Sequence, residues 1–240
     1  MIACYSELSE IITMNLTVDT SALLKFYDTE PSASNELGSS ISAITGIIGE
    51  DIVFGLLRHF FEHEKKEHVE ILHKCKAPGS SGYRLDGWIL AKSHCYQTEV
   101  KNWCASSLSG RSVDESNLAE VAHYNLHHYL TCQRNSKKVW KVLQEMDQEQ
   151  KCNGKEKSPL LAFWAPVALS PQITDLPPFF RCQLSGYEES IALAEVEHSF
   201  SEAWIFSASL YLRSLNTPKL TLCMPRAKER LKIMRDLILK

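Results

Sequence analysis

From Ser40 onward, apolar residues recur at Ile41, Ile44, Ile47, Ile48, Ile52, Val53, Leu56, Leu57, Phe60 and Phe61, which is the spacing of one buried helix face. The solvated run His63 to His68 ends that helix, and Val69 to Lys76 then reads as a first strand. Ala77 to Gly82 is a turn. Between Gly82 and Trp103, two segments rich in aromatic and aliphatic residues flank a polar break at Lys92, Ser93 and His94, predicting a β-hairpin with a loop of about four residues. Asp114 or Ser116 caps a second helix over Asn117 to Cys132, and Leu160 to Leu169 reads as a buried strand. Further strands are predicted at Phe179 to Leu184 and Leu220 to Cys223, with a last helix from Pro225 through Leu239. The period is ambiguous over Ile191 to Phe200 and Trp204 to Leu215. Met1 to Asp28 reads as one or two short helices, and Asn135 to Lys157 as a polar segment that starts helical and ends as a loop. The expected class is α/β, a mixed central sheet flanked by helices.

Charges inside the hairpin strands need a reason, and there are three: Asp86 on the first strand, Glu99 and Lys101 on the second. Strand side chains alternate faces, so Gln97, Glu99, Lys101 and Trp103 share one side. Pairing Leu90 with Cys95 places Asp86 opposite Glu99, Trp88 opposite Gln97 and Arg84 opposite Lys101. Two carboxylates so close repel unless a positive charge lies between them. A hard divalent cation such as Mg²⁺ suits the pair, because it binds through one or two carboxylates plus water and substrate phosphate. Lys101 then lies where it can hold an attacking water or offset charge growing on a phosphate. The plain alternative is an edge hairpin whose acids make weak cross-strand ion pairs with Lys101 and Arg84, worth about 0.2–1 kcal/mol each.

Asp86, a gap of a dozen residues, and then Glu99-Val100-Lys101 resembles the core motif of the PD-(D/E)XK nuclease superfamily, whose fold is restriction-endonuclease-like. Leu85 stands where the family's name puts proline. The resemblance implies a core of helix, three strands, helix and strand over residues 40–170, preceded by an N-terminal helical extension (1–39) and followed by a C-terminal α+β extension packed on the core (171–240). It implies metal ligation by Asp86, Glu99, the backbone carbonyl of Val100 and Glu50 on the helix before the hairpin, with Asp51 as the competing acid. It assigns Lys101 to the water or the transition state and Gln97 to steadying the nucleophile or substrate. The implied activity is Mg²⁺-dependent phosphodiester hydrolysis, with Mn²⁺ as a substitute, on DNA in preference to RNA. A restriction or defence role and a homodimer are compatible with it. The alternative in the same fold is a catalytically silent module that binds nucleic acid or protein.

Composition changes this picture in two respects. The net charge is −3, so nucleic acid would have to be held by local basic surface rather than bulk charge. Charge is uneven, with seven acids and one lysine over residues 1–50 against seven basic residues and two acids over 219–240. The eight cysteines include no CxxC pair and read as reduced thiols of a cytoplasmic protein, and the longest apolar run, Leu160 to Leu169, is too short to cross a membrane. His59 and His63, like His123 and His127, are one helical turn apart but lack the glutamate of a metalloprotease helix. The resemblance implies that the helix after the motif strand packs close to the site, where His123, Tyr124 or His127 is expected to line the cleft or touch phosphate.

Overall fold

The computed structural model describes residues 15–28, 35–73, 85–132, 140–145, 152, 154–172, 175–224, 226–227 and 229–230. A short strand β1 (Asn15–Asp19) leads into α1 (Thr20–Asp28), and the long α2 (Asn35–His63) follows. Next come β2 (Glu70–His73), β3 (Gly87–Leu90) and β4 (His94–Lys101), then α3 (Ala105–Ser109) and α4 (Leu118–Thr131). The chain continues through β5 (Glu156–Phe163), β6 (Phe179–Gln183), α5 (Glu188–Leu193), β7 (Glu202–Ser207), α6 (Ala208–Ser214) and β8 (Lys219–Cys223).

Six strands form one mixed sheet in the order β2-β3-β4-β5-β7-β6. Strands β2, β3 and β4 run antiparallel, β5 joins β4 and β7 in parallel, and β6 closes the far edge antiparallel to β7. The alternation of a half-turn per residue splits the core in two. Trp88, Leu90, Cys95, Leu161 and Phe163 pack on one face with Leu126, Tyr129 and Leu130 of α4 and with Trp140 and Val142. Ile89, Tyr96, Val100, Leu160 and Ala162 pack on the other with Val53, Leu57, Phe60 and Phe61 of α2 and Tyr211 of α6. Helices thus flank the sheet on both sides. Among the described residues, no helix is long and apolar enough to cross a membrane.

Where elements differ from the sequence reading, long-range pairing is the cause. Asn15–Asp19 is a strand rather than a helix, because its partner β8 arrives two hundred residues later, with Asn15 opposite Cys223 and Asp19 opposite Lys219. The ambiguous stretch after residue 201 divides at Ser207, whose Oγ accepts from the Leu210 amide at 3.2 Å and donates to the Ala165 carbonyl at 2.9 Å, so a strand ends and a helix is capped at one residue. Residues 40–170 supply four of the six strands, and β6 and β7 from the C-terminal segment complete the same sheet rather than lying on a finished core. The last predicted helix lies mostly outside the described residues, as do Arg84, Cys4 and Cys75.

One cysteine expectation is corrected. Cys95 and Cys152, both buried with Cα atoms 5.7 Å apart, are joined as a disulfide, while Cys132, Cys182 and Cys223 are free thiols. The parallel register that starts with His94 beside Glu156 brings the start of β4 next to the residues preceding β5, a proximity that spacing along the chain does not reveal.

Candidate active site

The hairpin register is the one read from the sequence: Leu90 faces Cys95 and Trp88 faces Gln97. Strand β3 starts at Gly87, so Asp86 lies just outside the ladder, and its carboxylate takes over the next pairing position. Asp86 Oδ2 accepts from the Val100 amide at 2.8 Å, leaving Oδ1 without a hydrogen bond among the described residues. Glu99 and Lys101, two residues apart on one face of β4, meet directly, with Lys101 Nζ donating to Glu99 Oε1 at 2.8 Å and both side chains about nine-tenths buried. Lys101 is fixed from behind as well, since its carbonyl accepts from the Trp164 amide at 3.1 Å.

The acid on α2 reaches the same end of the sheet because the helix has a glycine there. A Cβ on Gly49 would run into the Trp164 ring and lie 3.1 Å from Asn102 Nδ2, so only hydrogen allows α2 to pass the ends of β4 and β5 this closely. Glu50 follows it. Burial, together with the negative charges of Glu99 and Glu50, pushes the Asp86 carboxyl up to about 7 against the opposing effects of the Val100 amide and Lys101. Of the two neighbouring acids on α2, Glu50 is the one whose charge is felt at Asp86. Asp51 is 2 % exposed and faces a different, narrow cavity. Arg230 bridges both, at 3.6 Å from Glu50 and 3.3 Å from Asp51.

The negative charges of Glu99 and Glu50 thus lie within reach of the buried Asp86 carboxyl. Among the described residues, no group of three or more His, Cys, Asp or Glu side chains is close enough to hold an ion unaided.

Gln97 turns into the protein interior. It is fully buried, and its amide nitrogen donates to the carbonyl of Val142 and, at 2.8 Å, to that of Gln144. It pins the 140–145 segment to the sheet. Trp88 is core, whereas Trp103 is 36 % exposed and meets Tyr129 edge-on at 5.4 Å. Tyr124 stacks on His128 beneath Arg111, and His127 turns to Tyr187. His59 and His63 stack at 4.0 Å, with His59 Nδ1 2.6 Å from the Tyr211 hydroxyl; burial and the neighbouring His63 hold the His59 imidazole below its ordinary value.

Arg230 was missed because its interest lies in which acids it reaches across the fold; the sequence shows only a crowd of basic residues near the end of the chain. No protein-family model, curated protein or solved structure matches the chain.

Proposed function

We propose that the protein is a metal-dependent nuclease that hydrolyses phosphodiester bonds, with DNA as its substrate. The observation that carries this reading is the Glu99–Lys101 pair at the end of the hairpin beside Asp86, with Glu50 on α2 near enough for its charge to reach Asp86. The order α2, then β2, β3 and β4, then α4 and β5 supports it too, being the succession of helix, three strands, helix and strand that the motif resemblance implies.

In this reading Asp86, Glu99 and the Val100 carbonyl hold Mg²⁺ or Mn²⁺, and Glu50 stands as the outer acid. Bound there, the ion supplies positive charge against the phosphate oxygens and acidifies a water. Lys101 is the side-chain cation beside Glu99. Glu99 fixes its ammonium at 2.8 Å, so it is oriented before substrate arrives and can hold the water or offset charge building on the phosphate. Asp86 is tethered through Oδ2 to the Val100 amide, which aims Oδ1 and keeps the carboxylate beside Val100. The buried surroundings strengthen each of these interactions relative to water.

The test is cleavage of plasmid and linear DNA with Mg²⁺ or Mn²⁺ by wild type, Lys101→Ala and Asp86→Ala. Each substitution is expected to lower the rate by about 10²-fold or more while leaving the fold intact by circular dichroism. Wild-type rates in both variants would sink the mechanism. Metal-independent DNA binding by wild type with no nicked product would favour a silent binding module.

A further inference from the structure

The two histidine pairs at four-residue spacing are arranged differently in the fold. His123 and His127 hold their rings 6.3 Å apart at 58°, with His127 turned to Tyr187. His59 and His63, near the end of the 29-residue α2, stack at 4.0 Å with only 18° between their planes. A helix sets residues four apart on one face, so both rings are presented together. His59 is half-buried and His63 is exposed. Nine residues, about 14 Å of helix, separate His59 from Glu50, so nothing here depends on the chemistry proposed for Asp86 and Lys101.

Three of the four ring nitrogens are uncommitted. His59 Nδ1 lies 2.6 Å from the Tyr211 hydroxyl, while its Nε2 and both nitrogens of His63 make no hydrogen bond among the described residues. When Nδ1–H donates to that hydroxyl, the Nε2 lone pair is left for an ion, which is the usual outer-shell support of a metal-bound imidazole. Burial and the adjacent His63 hold the His59 imidazole below its ordinary value, so at neutral pH it is an uncharged donor. The surrounding charge suits a cation. The negative charges of Glu62 and Glu64 reach His59, and that of Glu64 also reaches Tyr211. The last carbonyls of α2 add the negative end of a helix dipole. The neighbouring cations are turned elsewhere, Arg58 to the Cys223 sulfur at 3.3 Å and Lys65 to the Phe60 and Phe179 rings at 5.6 and 5.8 Å.

We propose that His59 and His63 form a zinc site, each giving one ring nitrogen to Zn²⁺ while water fills the remaining positions. Imidazole selects zinc and its transition-metal neighbours over Mg²⁺ and Ca²⁺, which take oxygen ligands. Two Zn–N bonds of about 2.0–2.1 Å at a tetrahedral angle need nitrogens about 3.3 Å apart. Rings stacked at 4.0 Å reach that by a small tilt, whereas rings at 6.3 Å do not. No third His, Cys, Asp or Glu joins the pair among the described residues, so the site is open and binds more weakly than a closed structural one. Because Tyr211 belongs to α6, the ion also fastens the end of α2 to that helix through the hydrogen bond that orients His59.

The experiment strips the full chain of metal with chelator, removes the chelator and titrates zinc chloride by calorimetry into wild type, His63→Ala, Tyr211→Phe and His127→Ala. His63→Ala changes an exposed side chain and is expected to bind Zn²⁺ at least tenfold more weakly than wild type. Tyr211→Phe keeps both ligands but loses the orienting hydroxyl, and is expected to weaken binding about tenfold. His127→Ala, the control from the other pair, should match wild type. Excess Mg²⁺ should not displace the ion. Ring C–H proton resonances give a second readout: those of His59 and His63 should shift together as Zn²⁺ is added, and those of His123 and His127 should stay in place. If Tyr211→Phe does not fold, His63→Ala and the resonances decide alone. Equal Zn²⁺ affinity in wild type and His63→Ala overturns the site, as does a loss in His127→Ala as large as that in His63→Ala. Absence of Zn²⁺ binding by wild type overturns it too.

Discussion

Asp86 shows how a single side chain carries the tension of the site. Its folded value of about 7 exceeds the ordinary carboxylate value, so between about pH 4 and pH 7 the native protein binds more protons than the unfolded chain. Stability of the metal-free protein therefore falls as pH rises through that window, by an amount on the order of a few kcal/mol. Asp86→Asn retains an acceptor for the Val100 amide but carries no charge. Urea unfolding in chelator is expected to show this variant more stable than wild type at pH 8 and close to it at pH 4, and the same gap at both pH values would refute the assigned cause. Gln97 makes the contrasting case. Gln97→Ala strands two backbone carbonyls and opens a cavity, with an expected cost of about 2–4 kcal/mol, while activity per folded molecule stays near wild type. A large loss of activity at unchanged stability would return Gln97 to the chemistry. That Glu99 and Lys101 share a face was legible from the two-residue period of a strand. Gln97's partners were not, because they belong to a segment that folds back from forty-five residues away.

Among the elements, the hairpin was the most legible, since its polar break and flanking apolar runs admit one register. Helix α2 was legible from its periodicity, but its closeness to the sheet was not. A Cβ on Gly87 would lie 2.6 Å from Phe54 Cζ on α2 and 2.7 Å from the Leu72 carbonyl on β2, so the first residue of β3 has space for hydrogen only. Gly87→Ala must push helix or neighbouring strand away and is expected to cost about 1–3 kcal/mol. Gly186→Ala, where nothing lies within 4 Å, should stay within about 0.5 kcal/mol of wild type. Equal midpoints for the two variants in chemical denaturation would show that α2 does not press on the sheet at Gly87. Strand β1 and the break between β7 and α6 escaped the pattern reading for a common reason: each is decided by a partner distant in sequence, β8 in one case and the neighbouring strands β5 and β6 in the other.

At the scale of the molecule, early and late segments hold each other. Asp28 at the end of α1 is almost fully buried, accepting from Ser209 Oγ at 2.9 Å and from Arg213 on α6. Burial raises its carboxyl, while Arg213 and Ser209 oppose that rise. Arg213→Ala leaves a buried carboxylate half-matched and is expected to cost about 3–5 kcal/mol, whereas Asp28→Asn combined with Arg213→Met should recover much of it. A double variant as unstable as the sum of the two single ones would mean that the pair is not coupled. The packing of helices on both faces of the sheet was broadly legible from alternating strand and helix patterns, but the share of the sheet contributed after residue 170 was not.

That late contribution has a consequence for how the chain is made. Strand β5 presents Leu160, Leu161, Ala162 and Phe163 to a neighbour, β7, that leaves the ribosome only some forty residues afterwards. At ~5–20 residues per second, the most oily rim of the nascent molecule stands open for several seconds, a span in which another growing copy can dock instead. Messages truncated between those two strands should yield insoluble product, and holdase chaperones should engage the emerging polypeptide most strongly over that interval.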